Sequence, residues 1–272
     1  MIKMSGRNVL GVILCLLGAL MGLLLTPLFF METYIPLKLA EEALGGSGLG
    51  CALVVEFIFP FISDLGMIGG ALYLVAGISF MSSKDHHAFK IAVVANVLAL
   101  QAAFWPIIPL IVTSMIPWFA ILFLGNILIF FLLLITVGRI SGKTTLMALL
   151  VGMAWVLAFM NGVASTNRIV FLTGEGNPLW VLYTTMQRVN WVACLGWGAT
   201  TVLIVIKPNE LVRKLGLGSG ILAIVAGYPS GIISPFGGGF SMFLLGPMLS
   251  TLLVLLFISP KLWEKLVISR KE

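Results

Sequence analysis

The sequence predicts an all-α fold: a polytopic membrane helix bundle of about eight transmembrane helices, with both termini cytoplasmic. Three observations predict it. The 272 residues are 60% hydrophobic and 10% charged, with mean hydropathy +1.14. A soluble domain is roughly half apolar and a quarter charged. The apolar residues come in blocks near the ~20 residues that cross a hydrocarbon core of about 30 Å. Lys and Arg gather at alternate connections, as the positive-inside rule requires.

The expected spans are 9–31, 60–82, 89–111, 117–138, 144–164, 180–206, 217–235 and 241–259, within one integral-membrane domain over 1–272. The first follows Lys3 and Arg7. Its apolar run, Val9 to Met31, is too long for a signal-peptide core, and no small-x-small cleavage site follows, so it is expected to be retained. The second begins inside "VVEFIFPFISDLG", which carries Glu56, Pro60 and Asp64. Counting about twenty residues back from Met81 ends the span near Phe61. Asp64 then lies just inside the outer boundary. Glu56 lies beyond it, in an interfacial or re-entrant piece from about Leu49 to Pro60.

The third span carries Asn96, Gln101, Pro106 and Pro109. The fourth carries Asn126, the fifth Asn161, and the sixth Gln187, Arg188 and Asn190. The seventh is broken by Gly227, Pro229, Gly231 and Pro235. Non-helical backbone at membrane depth must be buried in protein or line a wet cavity. Broken segments in corresponding positions of two halves mark transporter sites. "GLGCALVV" from Gly48 and "GLGSGILAIV" from Gly216, each with a proline about ten residues later, form a candidate pair. After the eighth span, "SPKLWEKLVISRKE" reads as a basic helix on the cytoplasmic membrane surface.

With the N-terminus inside, thirteen of the sixteen Lys and Arg are cytoplasmic; Lys38, Arg168 and Arg188 are the exceptions. This placement accounts for the net charge of +6 without a nucleic-acid partner. The acids Glu32, Glu41, Glu42 and Glu175 fall in outer loops.

Motifs for chemistry are weak. "GRISGKTT" resembles a phosphate-binding loop but has three residues, not four, between its first Gly and the Gly-Lys pair. It reads as a cytoplasmic turn whose Ser or Thr caps the next helix. His86 and His87 are the only histidines and fall in a solvated loop beside Asp85. No histidine therefore lies within a span, which removes the commonest acid-base group and zinc ligand from the bundle. Cys15, Cys51 and Cys194 have no paired spacing and read as buried small hydrophobes. Trp105, Trp118, Trp180 and Tyr183 fall near outer boundaries, where amphipathic rings anchor. No cofactor and no metal are expected, and a membrane enzyme, which would have to use scattered residues, is the third reading behind a carrier and a complex subunit.

An ionisable residue inside a membrane is a functional candidate by default. Arg188 lies about 12 Å in from the outer start of its span and cannot shed its proton. Asp64, or Glu56, is its expected partner. The candidate substrate or ion site comprises Glu56, Asp64, Gln101, Arg188 and Asn190. Asn96, Asn126 and Asn161 are expected to bond across helices. The leading expectation is a cell-membrane carrier or channel-like protein for a small solute or ion, with its site in the outer half of the bundle. The alternative is a non-catalytic membrane subunit of a larger complex, with a quinone or lipid between helices. The partners expected are the lipid bilayer, a small solute or ion, and other membrane proteins or further copies of the chain.

Overall fold

The computed structural model describes residues 5–43, 52–82, 85–171, 178–233 and 241–268, and every regular element among them is helical. Helix α1 runs Gly6–Ala43 with a π-helical turn at Met21–Leu25. Helix α2 is Ala52–Met81, α3 is Asp85–Phe104 and α4 is the short Ile107–Val112. Helix α5 runs Phe119–Val137 and ends in a π-helical turn at Leu132–Val137. Helices α6, α7 and α8 are Gly142–Phe171, Pro178–Ile206 and Glu210–Ile233. Helix α9, Leu245–Ile258, is bent by 99° from α10, Pro260–Ile268. Seven helical segments among the described residues are long and apolar enough to cross a membrane, or eight if the bent pair forms one span. The chain is a helical, multi-pass membrane protein.

Three boundaries differ from the sequence expectation, each for a local reason. Helix α1 continues past residue 31 to Ala43. Its 38 residues span about 57 Å, against a hydrocarbon core of about 30 Å. The charged part, with Glu32, Lys38, Glu41 and Glu42, therefore projects beyond the bilayer core. Hydropathy marks where the apolar run ends, not where the helix ends, so these residues are helical rather than loop. Helix α2 runs unbroken through Pro60. The re-entrant reading does not hold over 52–60, and Leu49 to Cys51 lie outside the described residues. A proline costs one hydrogen bond and a local clash, and the packed face around it outweighs that cost. Helix α8 starts at Glu210, seven residues ahead of the expected 217, because Asn209 caps it: the Val212 N–H donates to Asn209 Oδ1 at 3.0 Å.

Smaller differences have the same character. His86 and His87 stand in the first turn of α3 rather than in a loop. Ser141 caps α6, accepting from the Thr144 N–H at 3.2 Å. The turn before it places Arg139 at φ 53°, and Gly138 beside it packs closely, since a Cβ there would meet Phe89 Cζ at 2.4 Å. Trp105 and Tyr183 are buried among the helices, whereas Trp118 is exposed.

Contacts group the chain into two compact units, Met1–Thr145 and Leu146–Glu272. In the first, α2 packs against α1 and α3, and α5 packs against α3. Small residues allow the close approach. A Cβ on Gly22 would lie 2.5 Å from the Gly70 Cα, so α1 and α2 touch backbone to backbone. In the second unit, α8 packs between α7 and α9. Here a Cβ on Gly196 would lie 2.1 Å from Ser219 Oγ, which fixes the α7–α8 contact. Arg213 ties the start of α8 to the end of α9. Its Nη1 donates to the Phe257 carbonyl at 2.6 Å, while Nε and Nη2 hold the Glu210 carboxylate at 2.7 and 2.5 Å.

Residues 48–51 of the candidate pair lie outside the described residues, and α2 and α8 run unbroken through Pro60 and Pro229. Pro60 lies on the second helix of the first unit, and Gly216 and Pro229 lie on the third span of the second. Pro106, by contrast, falls in the interruption between α3 and α4.

Candidate functional site

In the first unit, polar groups are stacked along the bundle. At the projecting end of α1, Thr33, Leu37 and Glu41 recur at i, i+4 and i+8 and form a buried stripe. Glu41 is 1% exposed, and neither carboxylate oxygen has a hydrogen-bond partner among the described residues. It lies ten residues past the end of the apolar run at 31, or about 15 Å, so it stands outside the membrane-crossing part of α1. Burial pushes its carboxyl up to about 7, because the charged form loses its hydration. One turn away, Lys38 Nζ donates to Glu56 Oε2 at 3.0 Å across α1 and α2.

An aromatic layer lies beneath that pair. Phe59 packs against Phe30 at 5.4 Å, Phe119 at 5.8 Å, Trp105 at 6.0 Å and Tyr34 at 6.2 Å between ring centroids. Deeper along α3, Gln101 is fully buried, and neither its amide oxygen nor its amide nitrogen has a partner. Its neighbour Ala102 packs beside Gly66 of α2, which sets its level in the unit. Deeper again, Asn96 Nδ2 donates to Tyr73 Oη at 2.6 Å and to the Asn126 carbonyl at 2.9 Å, joining α2, α3 and α5. The side-chain oxygens of Asn96 and Asn126 are both buried without partners.

In the second unit, Asn190 of α7 is fully buried, and both of its amide atoms lack partners. Gln187, one turn earlier, donates to Thr166 Oγ1 of α6 at 2.7 Å. Asn161 Nδ2 donates to the Phe243 carbonyl at 3.2 Å. A Cβ on Gly162 would meet the Trp191 ring at 3.1 Å, so Asn161 and Asn190 stand within about one turn of the same level.

The five candidate residues separate accordingly. Glu56, Asp64 and Gln101 belong to the first unit, and Arg188 and Asn190 to the second. Gln101 and Asn190 are buried; Glu56, Asp64 and Arg188 are exposed. Glu56 pairs with Lys38, while Asp64 and Arg188 form no ion pair within their own units among the described residues. Sequence reasoning missed Glu41, Lys38 and Tyr73. Ending the first helix at 31 hid the Thr33–Leu37–Glu41 stripe, whose four-residue spacing would otherwise have marked Glu41 as inward-facing. Among the described residues no group of three or more His, Cys, Asp or Glu side chains could hold a metal ion.

No family model, curated protein or solved structure matches the chain. Fold and side chains define a class: a multi-pass helical membrane protein with uncompensated amides sealed inside each of two units.

Proposed function

We propose that the chain moves a small polar solute or ion across the cell membrane, with both termini cytoplasmic. One observation carries this reading. Gln101 and Asn190 are fully buried, and none of their four amide atoms has a partner among the described residues. An unmet buried polar group costs roughly 1–3 kcal/mol. Lipid offers nothing to meet it. A stability-optimised bundle would place Leu or Met at these positions. A bundle that passes polar cargo needs groups that bind it weakly and release it.

Two further features support the reading. Proline interrupts or enters the third span of each unit, at Pro106 and Pro229. A proline has no N–H for the carbonyl four residues before it, which leaves that carbonyl available to cargo. At the outer end, the buried Glu41 beside the Lys38–Glu56 pair supplies a carboxyl that exchanges a proton near neutral pH. Asp64 remains the shallow acid available to a cation.

The test is flux in proteoliposomes of the purified chain. Swelling with urea or glycerol is followed by light scattering, and proton or Na+ entry by an internal dye. At least one probe should equilibrate faster than in protein-free liposomes, and Asn190→Leu should slow it. Rates equal to protein-free liposomes for every probe would overturn the proposal. Stable co-purifying partners would then favour the role of a complex subunit.

A further inference from the structure

A groove of about 510 Å3 runs along the outer face of α7 and α8 in the second unit. Its walls include Val192, Leu195, Gly196 and Ala199 from α7 and Gly218 and Leu222 from α8. Leu195 is 73% exposed, and an added Cβ on Gly218 would meet nothing within 4 Å, so the groove is open to its surroundings. Ser219 also lines it, but its hydroxyl already donates to the Leu215 carbonyl at 2.8 Å. The body of the groove is therefore apolar in effect.

One end is charged. Lys214 lines the groove and is exposed, three residues before the expected start of the membrane run at 217. From Lys214 to Leu222 is eight positions, or about 12 Å of helix. One leaflet of the hydrocarbon core is about 15 Å deep. The cation thus stands at headgroup height, and the apolar walls run into the leaflet below it. The nearest acid, Glu210, is already bridged by Arg213 through two hydrogen bonds. Lys207, Arg213 and Lys214 leave this end positive against the single Glu210.

We propose that this groove seats one acyl chain of an anionic phospholipid, with the lipid phosphate held at Lys214. The chemistry fits from both ends. A long alkyl chain fills an apolar channel whose floor is set by the small residues Gly196, Ala199 and Gly218. A phosphodiester supplies a further anion at Lys214, whose neighbour Glu210 is shared with Arg213. The apolar floor alone would also admit a second copy of this chain; the cation at its end favours an anionic lipid.

The test is native mass spectrometry of the full chain in detergent, with phosphatidylglycerol, phosphatidylcholine or inorganic phosphate added in turn. Wild type should retain phosphatidylglycerol about fivefold better than phosphatidylcholine, the ratio expected from one lysine at an anionic headgroup. Lys214→Gln should bring the two lipids to equal retention. Lys207→Gln, a cation outside the groove lining, should leave the preference intact. Gly218→Trp should reduce retention of both lipids, because the indole fills the channel and an added Cβ there meets nothing within 4 Å. Should Gly218→Trp fail to fold, Lys214→Gln decides alone. Unchanged lipid preference in Lys214→Gln would overturn the proposal. So would binding of inorganic phosphate with no lipid preference. Loss of a dimer in Gly218→Trp with lipid retention unchanged would assign the groove to a second copy and would also overturn it.

Discussion

Replacing Gln101 by leucine should make the protein more stable. Gln101 is fully buried, and its amide oxygen and nitrogen both lack partners. In water-soluble proteins each unmet group costs roughly 1–3 kcal/mol. In a bilayer the unfolded reference also finds partners, and measured polar terms average about 0.6 kcal/mol with a maximum near 1.7. Two groups at about 0.5–1 kcal/mol each give about 1–2 kcal/mol of relief from Gln101→Leu. Leucine is close to glutamine in volume, so it fills the same space without overpacking and the repacking cost is small against that gain. At roughly 2–4 °C per kcal/mol for a chain of this size, Tm should rise by about 2–8 °C. A thiol-reactive dye reads the transition, because Cys15 and Cys194 are buried and free in the folded state; Cys51→Ser is made in both proteins. Transport should fall in the same variant, a trade of activity for stability. A Tm lowered by more than 2 °C would show that the amide makes a structural bond, and the argument from unmet groups would fail.

Three further predictions concern the two units separately. Asn96→Leu should destabilise by about 1–2 kcal/mol, the opposite sign to Gln101→Leu, since its Nδ2 bonds both Tyr73 Oη and the Asn126 carbonyl. A double-mutant cycle with Tyr73→Phe should show coupling of about 0.6–1.7 kcal/mol; additive effects would remove that bond from the account. Arg213→Gln should lower Tm clearly more than Lys207→Gln, because only Arg213 joins the start of α8 to the Phe257 carbonyl at the end of α9. Equal shifts would mean that this tie contributes nothing. Glu41 carries the pH dependence. Its carboxyl is raised to about 7 from an ordinary value of about 4.3, so the folded state holds the proton more tightly than the unfolded state. Stability from this group is then fully present below about pH 4.3 and is lost as pH rises through about 7. Between pH 5 and pH 8 the wild type should lose more Tm than Glu41→Gln, and parallel profiles would contradict the buried acid.

Much of the architecture is legible in the sequence because a bilayer enforces it. Hydrocarbon length sets span length, so five of the eight expected spans, all but the first, second and seventh, overlap their helices closely, and all eight keep their order. What the apolar pattern cannot show is a helix that outlives its membrane segment. The polar ends of α1 and α8 are helical because of intrachain bonds and caps, such as Asn209 at the start of α8. Capping was legible: Asn209 followed by Glu210 is a helix-start signal that the hydropathy boundary overrode.

The site was legible in part. Residue type and depth pointed to Gln101 and Asn190, and both prove fully buried. The ionisable residues were harder. A sequence position gives height along a helix, but facing depends on which neighbours pack there. Asp64 is exposed although Ser63 and Gly66 beside it are buried. Glu56 takes Lys38, a partner supplied by the part of α1 that was expected to be loop. Glu41, the buried acid, stood in that same extension.

Cysteine accessibility at position 101 tests the central claim most directly, that the unpartnered amides line a path for polar cargo. Gln101→Cys is placed in a chain with its three native cysteines replaced by serine or alanine, and intact membranes are treated with a small, water-soluble, cationic thiol reagent. The static packing covers this position completely. A transport path requires that it open to water, so the account predicts labelling in folded protein, slowed by the transported solute, with Ala92→Cys as an inert buried control. If Gln101→Cys stays as unreactive as Ala92→Cys until the protein is unfolded, no aqueous path reaches the amide and the account is contradicted.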